Sequence, residues 1–165
     1  MATQVKPVPD GYHTLTPYLV VDGAERIVQF MKDAFGAQFV FEPMKRPDGK
    51  IMHAELRIGN SRFMLNDAMM GGKGPHALGG SPASFWIYVE DCDALFKRAV
   101  DAGAQVHGGG MGKMQDQFWG DRSGTVTDPH GYNWTIATRK EDLSHDEMER
   151  RGAEWMKQFS AQPTH

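Results

Sequence analysis

Apolar and polar residues alternate along this chain with two different periods, and the two periods follow one another in the same order twice. Residues 24–35 and 92–102 carry apolar side chains at the spacing of an amphipathic helix, and each segment is followed by the tripeptide Gly-Ala-Gln. One run with strand-like alternation precedes each helix, and three such runs follow it. The pattern therefore predicts the element order βαβββ twice. The strands are predicted at residues 16–21, 38–44, 50–59 and 62–67 in the first half and at 84–89, 105–109, 121–128 and 132–138 in the second.

Composition marks the boundaries between the repeated units. Residues 71–82 (GGKGPHALGGSP) contain five Gly and two Pro, which is typical of a linker. We therefore divide one structural domain into an N-terminal extended tail at 1–13, a first module at 14–70, a second module at 83–140, and a C-terminal helix and tail at 141–165.

The C-terminal segment carries the signature of a helix start. Ser144 is followed three residues later by Glu147, the arrangement of a capping box. The helix is expected to dock on the rest of the chain, or to serve a dimer contact, through an apolar edge. The residues of that edge are Met148, Trp155, Met156 and Phe159.

One βαβββ unit is too small to bury both faces of its own sheet, so the two units are expected to pack together. The predicted class is α+β. Two βαβββ modules form a curved mixed sheet around a cleft, the helices lie outside, and a C-terminal helix is added.

Composition and charge narrow the function. A net charge of −3 argues against nucleic acid as the main partner, and no apolar run reaches the roughly 20 residues needed to cross a bilayer. The N-terminus lacks the apolar segment of a secretory signal, and Cys92 is the single cysteine. We therefore expect a cytoplasmic protein with no disulfide and no membrane partner. Eleven Met, four Trp, four Tyr and nine Phe are a supply of adaptable apolar side chains for a core or a pocket.

Strand alternation turns polar and aromatic side chains toward the predicted cleft. Trp86 and Tyr88 share a face of their strand, and Tyr18 lies at the matching position of the first module, so we expect it to face them. Aromatic walls with polar tips suit a flat or apolar small ligand, although core packing is an alternative for Trp86. The inward faces consist of Thr16, Tyr18 and Val20; of Ser84, Trp86 and Tyr88; and of Asn133 and Thr135.

His53 and Glu55 lie two residues apart on one strand face and so side by side. A carboxylate that holds an imidazole is an acid–base arrangement, which makes this pair the candidate for catalysis. The alternatives are a solvated face of cross-strand pairs, ligand contact by His53 without chemistry, and, least favoured, a relocated metal site. The other face of this strand is expected to be apolar. It consists of Met52, Ala54, Leu56 and Ile58.

The segment DQFWGDR at residues 116–122 combines aromatic and charged residues just before a strand. Trp119 is expected at the rim of the cleft, and Arg122 is a candidate to bind an anionic group of the ligand. A structural role for Trp119 and a surface ion pair for Arg122 are the alternatives.

Four stretches in this order resemble the glyoxalase/bleomycin-resistance family, also called vicinal oxygen chelate proteins, and within it the PhnB-like branch. The resemblance implies paired βαβββ modules, a small-molecule cleft inside the cupped sheet, and a homodimer. The stretches are TPYLVVDGAERIVQFMKDAFGAQ, HAELRIGNSRFMLND, DQFWGDRSGTVTDPHGYNWTIAT and LSHDEMERR.

The resemblance also locates the positions where metal-using members place four His, Gln or Glu ligands. In this chain those positions hold Thr16, Met64, Ser84 and Thr135, none of which is a strong ligand for a hard divalent ion. We therefore expect no metal and no other cofactor, and we place these four residues at the ligand cleft.

Three functions follow in order of preference. The first is a small-molecule binding protein with an aromatic, metal-free cleft, similar to the drug-sequestering members of the family. The second is a metal-free enzyme that uses His53 and Glu55 as an acid–base pair. The third is a metal-dependent lyase, isomerase or dioxygenase of the glyoxalase type.

Overall fold

The structure, a computed structural model, describes residues 6–160, with side chains as far as residue 157. The start of the predicted tail, the docking side chain predicted for Phe159 and the C-terminal tail lie outside the described residues.

The chain is built from two units of one helix and five short strands, followed by a long helix. The first unit contains β1 (Tyr18–Val21), α1 (Ala24–Phe35), β2 (Gln38–Phe39), β3 (Met44–Lys45), β4 (Ile51–Ile58) and β5 (Ser61–Asp67). After a short helix α2 (Pro75–Leu78), the second contains β6 (Ser84–Tyr88), α3 (Cys92–Asp101), β7 (Gln105–Val106), β8 (Gln115–Asp116), β9 (Asp121–Thr127) and β10 (Asn133–Arg139), and α4 (His145–Ser160) ends the described chain.

Both units order their strands in the same way, with the first strand parallel to the last. The first sheet runs β1-β5-β4-β2 with β3 on β4, and the second runs β6-β10-β9-β7 with β8 on β9. All pairs other than β1·β5 and β6·β10 are antiparallel. The predicted α+β class with two βαβββ modules and a C-terminal helix is confirmed. In the part of the chain described, the modules form two sheets rather than one, with β1 and β6 each at a sheet edge.

The modules are joined on their helical sides by one hydrophobic core. Helix α1 packs against α3, and the ring of Phe35 lies 5.0 Å from that of Trp134 on β10. Arg98 of α3 donates its Nε–H to the carbonyl oxygen of Ala34 at 2.6 Å, which uses a carbonyl left over near the end of α1. Each sheet therefore has one face committed to the core, and the opposite face is free for other contacts.

Asp67, at the end of β5, links the start of α1 and the start of β4 to its own strand by hydrogen bonds. Its Oδ1 accepts the backbone N–H groups of Gly23 and Ala24 at 2.9 and 2.8 Å, and its Oδ2 accepts that of Ile51 at 2.7 Å. Gly23 has no side chain to cap α1, so a carboxylate from another strand satisfies the first donors of the helix and favours its positive end. In the second module Thr138 at the end of β10 accepts the N–H of Cys92 at 3.0 Å in the same way.

One expectation for β4 is wrong. Met44 lies opposite His53 and Lys45 opposite Ile51, so β4 carries one residue more than β3 at this point. The alternation therefore slips at Met52, which is 46% exposed instead of facing the core, and Ile51 takes the core position at 1% exposed.

Helix α4 begins as predicted, and its apolar edge lies against the second module in part. The Oγ of Ser144 accepts the N–H of Glu147 at 3.3 Å. The ring of Trp155 lies 5.6 Å from that of Phe118, while Met156 is 55% exposed. Over the described residues, no helix has the length and apolar character needed to cross a membrane.

Replacing Asp67 by Ala should destabilise the protein by about 3 kcal/mol, because three backbone N–H groups, two of them buried, lose a charged acceptor at once. Urea unfolding followed by circular dichroism measures the change. The control is Asp33→Ala, an exposed carboxylate of α1 that accepts only from Gln29 among the bonds described, and it should cost less than about 0.5 kcal/mol. Equal losses in the two variants would contradict the role given to Asp67.

Candidate functional site

The face of the second sheet opposite the core, called here the polar face of module 2, carries the largest group of predicted site residues. On β6 the exposed residues Ser84, Trp86 and Tyr88 alternate with half-buried ones that pack on the core. The strand register places Trp86 beside Thr135 and Ser84 beside Asn133. The alternation of β6 and β10 therefore brings five predicted residues to one surface.

Hydroxyl groups on this face are paired with one another. The Oγ1 atoms of Thr135 and Thr125 lie 2.9 Å apart, and the Oγ1 of Thr127 donates to the Oδ1 of Asn133 at 2.8 Å. Thr125 and Thr135 are buried, at 7% and 6% exposed. Their oxygens are thus used in a cross-strand bond and form a polar floor beneath the aromatic rings.

Three aromatic side chains stand at the edge of this floor and are called here the aromatic trio: Trp86, Tyr88 and Trp119. The ring centroid of Trp86 lies 6.2 Å from that of Tyr88 and 6.3 Å from that of Trp119, the latter edge to face. Trp86 and Tyr88 are 44% and 60% exposed. Large rings exposed to this extent next to one another are a surface on which an apolar or flat molecule can bind.

The carboxylate of Asp121 holds two members of the trio in place. Its Oδ2 accepts the hydroxyl of Tyr88 and the indole Nε1–H of Trp119, both at 2.9 Å, and the residue is only 3% exposed. Burial raises the pKa of the Tyr88 hydroxyl, and the bond to Asp121 raises it further. Among the described residues, the other oxygen of Asp121 and the hydroxyl of Ser123 are buried without a hydrogen-bond partner.

The first sheet carries a second, separate group around His53. The Nε2 of His53 lies 3.1 Å from the Oε1 of Glu55, and the two side chains are 27% and 13% exposed. The rings of Tyr18 and Phe41 each lie 6.2 Å from the imidazole, and Met64 pairs with Glu55 across the strands. The predicted acid–base pair is therefore in hydrogen-bond contact, and aromatic rings flank it.

The N-terminal segment runs along this second group. Residues 7–16 and strands β4 and β5 bound a cavity of about 550 Å³, which Glu55 and Met64 line. Tyr12 makes a cation–π contact there with Arg62, whose guanidinium lies 4.8 Å from the ring. Thr16 also lines the cavity and donates its hydroxyl to the carbonyl of His13 at 3.1 Å.

A third feature is a groove between the two edge strands β1 and β6. It has a volume of about 700 Å³ and mostly apolar walls from both modules, including Leu19, Phe35 and Trp134. Trp86 and Tyr88 line it as well, so the aromatic trio adjoins this groove. The groove is the one place where residues of both modules line the same cavity among those described here.

Arg122 is not brought to either group. Its position on β9 alternates with Asp121 and Ser123, and its guanidinium binds Asp93 of α3 at 2.7 and 2.8 Å and Asp116 at 3.1 Å. Two carboxylates already accept from its guanidinium, and its binding to an anionic ligand stays a prediction. The contacts of Arg122 match the alternative of a surface ion pair.

The residues at the family's metal positions do not fit a divalent ion. The hydroxyl of Thr135 is bound to that of Thr125, the hydroxyl of Thr16 to a carbonyl, and a thioether such as that of Met64 suits soft metals. Within the described residues, no three His, Cys, Asp or Glu side chains cluster closely enough to hold a metal ion.

The structure thus sorts the predicted residues into two sets on separate sheets, and Tyr18 lies beside His53 rather than beside Trp86. The sequence analysis missed Asp121 as the anchor of the trio. A signal was present, because Asp121, Ser123, Thr125 and Thr127 alternate with other residues along β9 and so share a face. The first set is Thr16, Tyr18, His53, Glu55 and Met64, and the second is Ser84, Trp86, Tyr88, Trp119, Asn133 and Thr135.

Two βαβββ modules, each with its first strand parallel to its last, define the fold class of this chain. Residues 12–136 match the model of the glyoxalase/bleomycin resistance protein/dioxygenase superfamily, and the chain belongs to that superfamily. The predicted resemblance is confirmed.

Three other proteins match this chain, one in sequence and two in structure. The uncharacterized protein Mb0911c of Mycobacterium bovis is 40% identical over 154 residues, which cover 90% of this chain and 94% of that protein. A PhnB protein from Bacillus cereus superposes with a TM-score of 0.57 at 16% identity, over 76% of this chain and 99% of that one. A bleomycin-binding protein crystallised with bleomycin superposes with a TM-score of 0.53 at 18% identity, over 79% and 99% of the two chains. At these identities, each of the two structures resembles this chain in fold alone.

Proposed function

We propose that this protein is a homodimer that binds a small molecule at the aromatic trio, without the metal that other members of its family use. The observation that carries the proposal is the trio itself: the rings of Tyr88 and Trp119 lie 6.2 and 6.3 Å from that of Trp86, above a floor of paired hydroxyls. Such a surface needs only burial of apolar area and a few fixed polar groups to hold a ligand. A cytoplasmic location stays a prediction.

The rigidity of the trio supports binding. Tyr88 and Trp119 are both hydrogen-bonded to the buried carboxylate of Asp121, so the two rings keep their orientation before a ligand arrives. A preformed pocket loses less conformational entropy on binding than one that must be ordered. The bleomycin-binding relative gives an example of the same fold that holds a drug-sized molecule.

The donor chemistry supports the absence of a family metal. Hydroxyls that are hydrogen-bonded to each other or to a carbonyl would have to give up those bonds, and even then they are weak neutral ligands. The negative charge that a divalent ion requires is also missing from these four positions, since Thr16, Met64, Ser84 and Thr135 are all neutral.

The edge strands support the dimer. β6 has the sequence SFWIY and pairs only with β10, and β1 pairs only with β5, so each presents an unpaired edge in the described chain. An exposed apolar edge favours pairing with another chain. A second copy that brings its own two edges to the groove would cover both and would close the cleft around the trio.

The second candidate function is a metal-free acid–base enzyme. The observation that favours it is the 3.1 Å contact between His53 and the largely buried Glu55. A carboxylate in that position fixes the orientation of the imidazole, as a general base requires. In the dimer, this pair would lie on the sheet that faces the trio of the other copy, where it could reach a bound molecule.

Ligand binding is tested by a thermal-melting screen of aromatic antibiotics and small organic acids on protein treated with a chelator. A bound compound should raise the melting temperature without added metal, and Trp86→Ala should weaken its affinity about tenfold because one face of the pocket is lost. Leu78→Ala, which truncates an apolar residue that is 62% exposed on α2, is the control and should keep the effect. A shift that needs metal, or that survives in Trp86→Ala, would contradict the proposal.

The dimer is tested with Leu15→Glu. Leu15 is 86% exposed and lines the groove, so a charge there should not unfold the chain but should oppose a second copy. Sedimentation equilibrium should give a dimer for the wild type and a dissociation constant at least about tenfold higher for the variant. Leu78→Glu, 62% exposed on α2, should leave the mass unchanged. A wild-type monomer at tens of micromolar would refute the dimer.

The acid–base function is tested with His53→Gln once a compound from the screen is found to be converted. Removal of the base should lower kcat by about a hundredfold or more while binding is kept, because Gln has similar polarity but does not take up a proton. His76→Gln, which replaces an exposed imidazole of α2, is the control. Full turnover by His53→Gln would remove His53 from the reaction.

A further inference from the structure

We propose that the ligand of the aromatic trio carries a cationic nitrogen, which lies against Trp86 and is held by the rings and by the charge of Asp121 behind them. This inference rests on the proposed function and names the chemical class of its ligand, an organic cation. A neutral flat molecule would use the rings alone. The observation that points to a cation is the buried carboxylate.

The negative charge of Asp121 is buried with incomplete compensation. The residue is 3% exposed, its Oδ2 is bound by two neutral donors, and its Oδ1 has no hydrogen-bond partner among the described residues. A buried charge without a counter-ion is costly, and it is normally found where a cation completes the site. A pair of rings that needed only to be positioned could be held by a neutral acceptor at less cost.

The nearby cations are each bound to a carboxylate. Arg139 lies opposite Asp121 in the register of β9 and β10, its charge reaches Tyr88, and its guanidinium is bound to Asp142 at 2.6 Å. Arg122, the next residue, binds Asp93 and Asp116 on the other face. Asp121, Arg139 and the Asp142 bound to it together leave one net negative charge beside the trio, which a positively charged ligand group would neutralise.

The rings themselves are arranged for a cation. A positive group is attracted to the face of Trp, Tyr or Phe when it lies within about 6 Å of the ring centroid, and Trp is the strongest. Because Tyr88 and Trp119 are centred 6.2 and 6.3 Å from Trp86, a group seated over Trp86 lies within reach of more than one ring. Donation of the Tyr88 hydroxyl and the Trp119 N–H to a carboxylate also makes both rings richer in electrons, which strengthens this attraction.

The test compares two probes of the same shape, meta-hydroxyphenyl-trimethylammonium and meta-tert-butylphenol, which differ only in the replacement of a positive nitrogen by carbon. Titration calorimetry on the full chain should give about tenfold tighter binding of the charged probe, the scale of a well-placed cation–π contact. Raising the salt concentration should weaken the charged probe more than the neutral one.

Asp121→Asn keeps an acceptor for Tyr88 and Trp119 but removes the charge, so the tenfold preference for the charged over the neutral probe should fall below about twofold. Asp101→Asn removes a charge from the exposed surface of α3, where Asp101 pairs with Lys97, and should keep the preference. Trp86→Ala should weaken both probes. Should Asp121→Asn fail to fold, the comparison of the two probes on the wild type still decides whether the site prefers a cation.

Failure of this inference differs from failure of the proposed function. If the neutral probe binds as tightly as the charged one, or if only uncharged compounds give a Trp86-dependent shift in the melting screen, the cation is refuted and the binding site stands. If no compound of either charge gives a shift that depends on Trp86, both are refuted. A preference for the charged probe that survives in Asp121→Asn would refute the role of Asp121.

Discussion

The architecture of each module depends on one long-range tie between the end of its last strand and the beginning of its helix. Asp67 in the first module accepts three backbone N–H groups that would otherwise be unsatisfied, and Thr138 in the second accepts the N–H of Cys92. The tie fixes where the helix starts relative to the parallel pair of first and last strands. It therefore holds the start of the helix against the sheet on the side that the right-handed crossover gives it.

The sheet faces that point away from the core carry different side chains in the two modules, although the modules share one topology. In the first module a His and a carboxylate lie in contact between aromatic rings, while in the second, aromatic rings stand on a floor of hydroxyls around Asp121. The two faces belong to separate sheets of one chain, and the edge strands β1 and β6 end those sheets at a common groove. A dimer that unites the faces would place the groups able to move a proton opposite the groups able to hold a ligand.

Hydroxyls and a thioether stand at the positions where the family resemblance implies metal ligands. The hydroxyl of Thr135, at one of these positions, is bonded to that of Thr125. The negative charge of the face lies instead at Asp121, two strands from β6 and bonded to aromatic side chains. A carboxylate behind aromatic rings is suited to a large, soft cation such as a substituted ammonium rather than to a small metal ion. The ring faces attract the positive charge while the cation keeps its apolar substituents.

The sequence by itself determined the features that depend on neighbours along the chain. The bounds of α1, the order βαβββ, the cap at Ser144 and the shared face of Trp86 and Tyr88 all follow from periodicity and local turn chemistry. Only the tertiary structure decided which groups meet: the extra residue at Met52, the ion pairs that occupy Arg122, and the bond of Asp121 to Tyr88 across 33 positions of sequence. Periodicity assigns a side chain to a face, whereas its partner on that face is set by strand register and by packing between segments far apart in the chain, which no local pattern records.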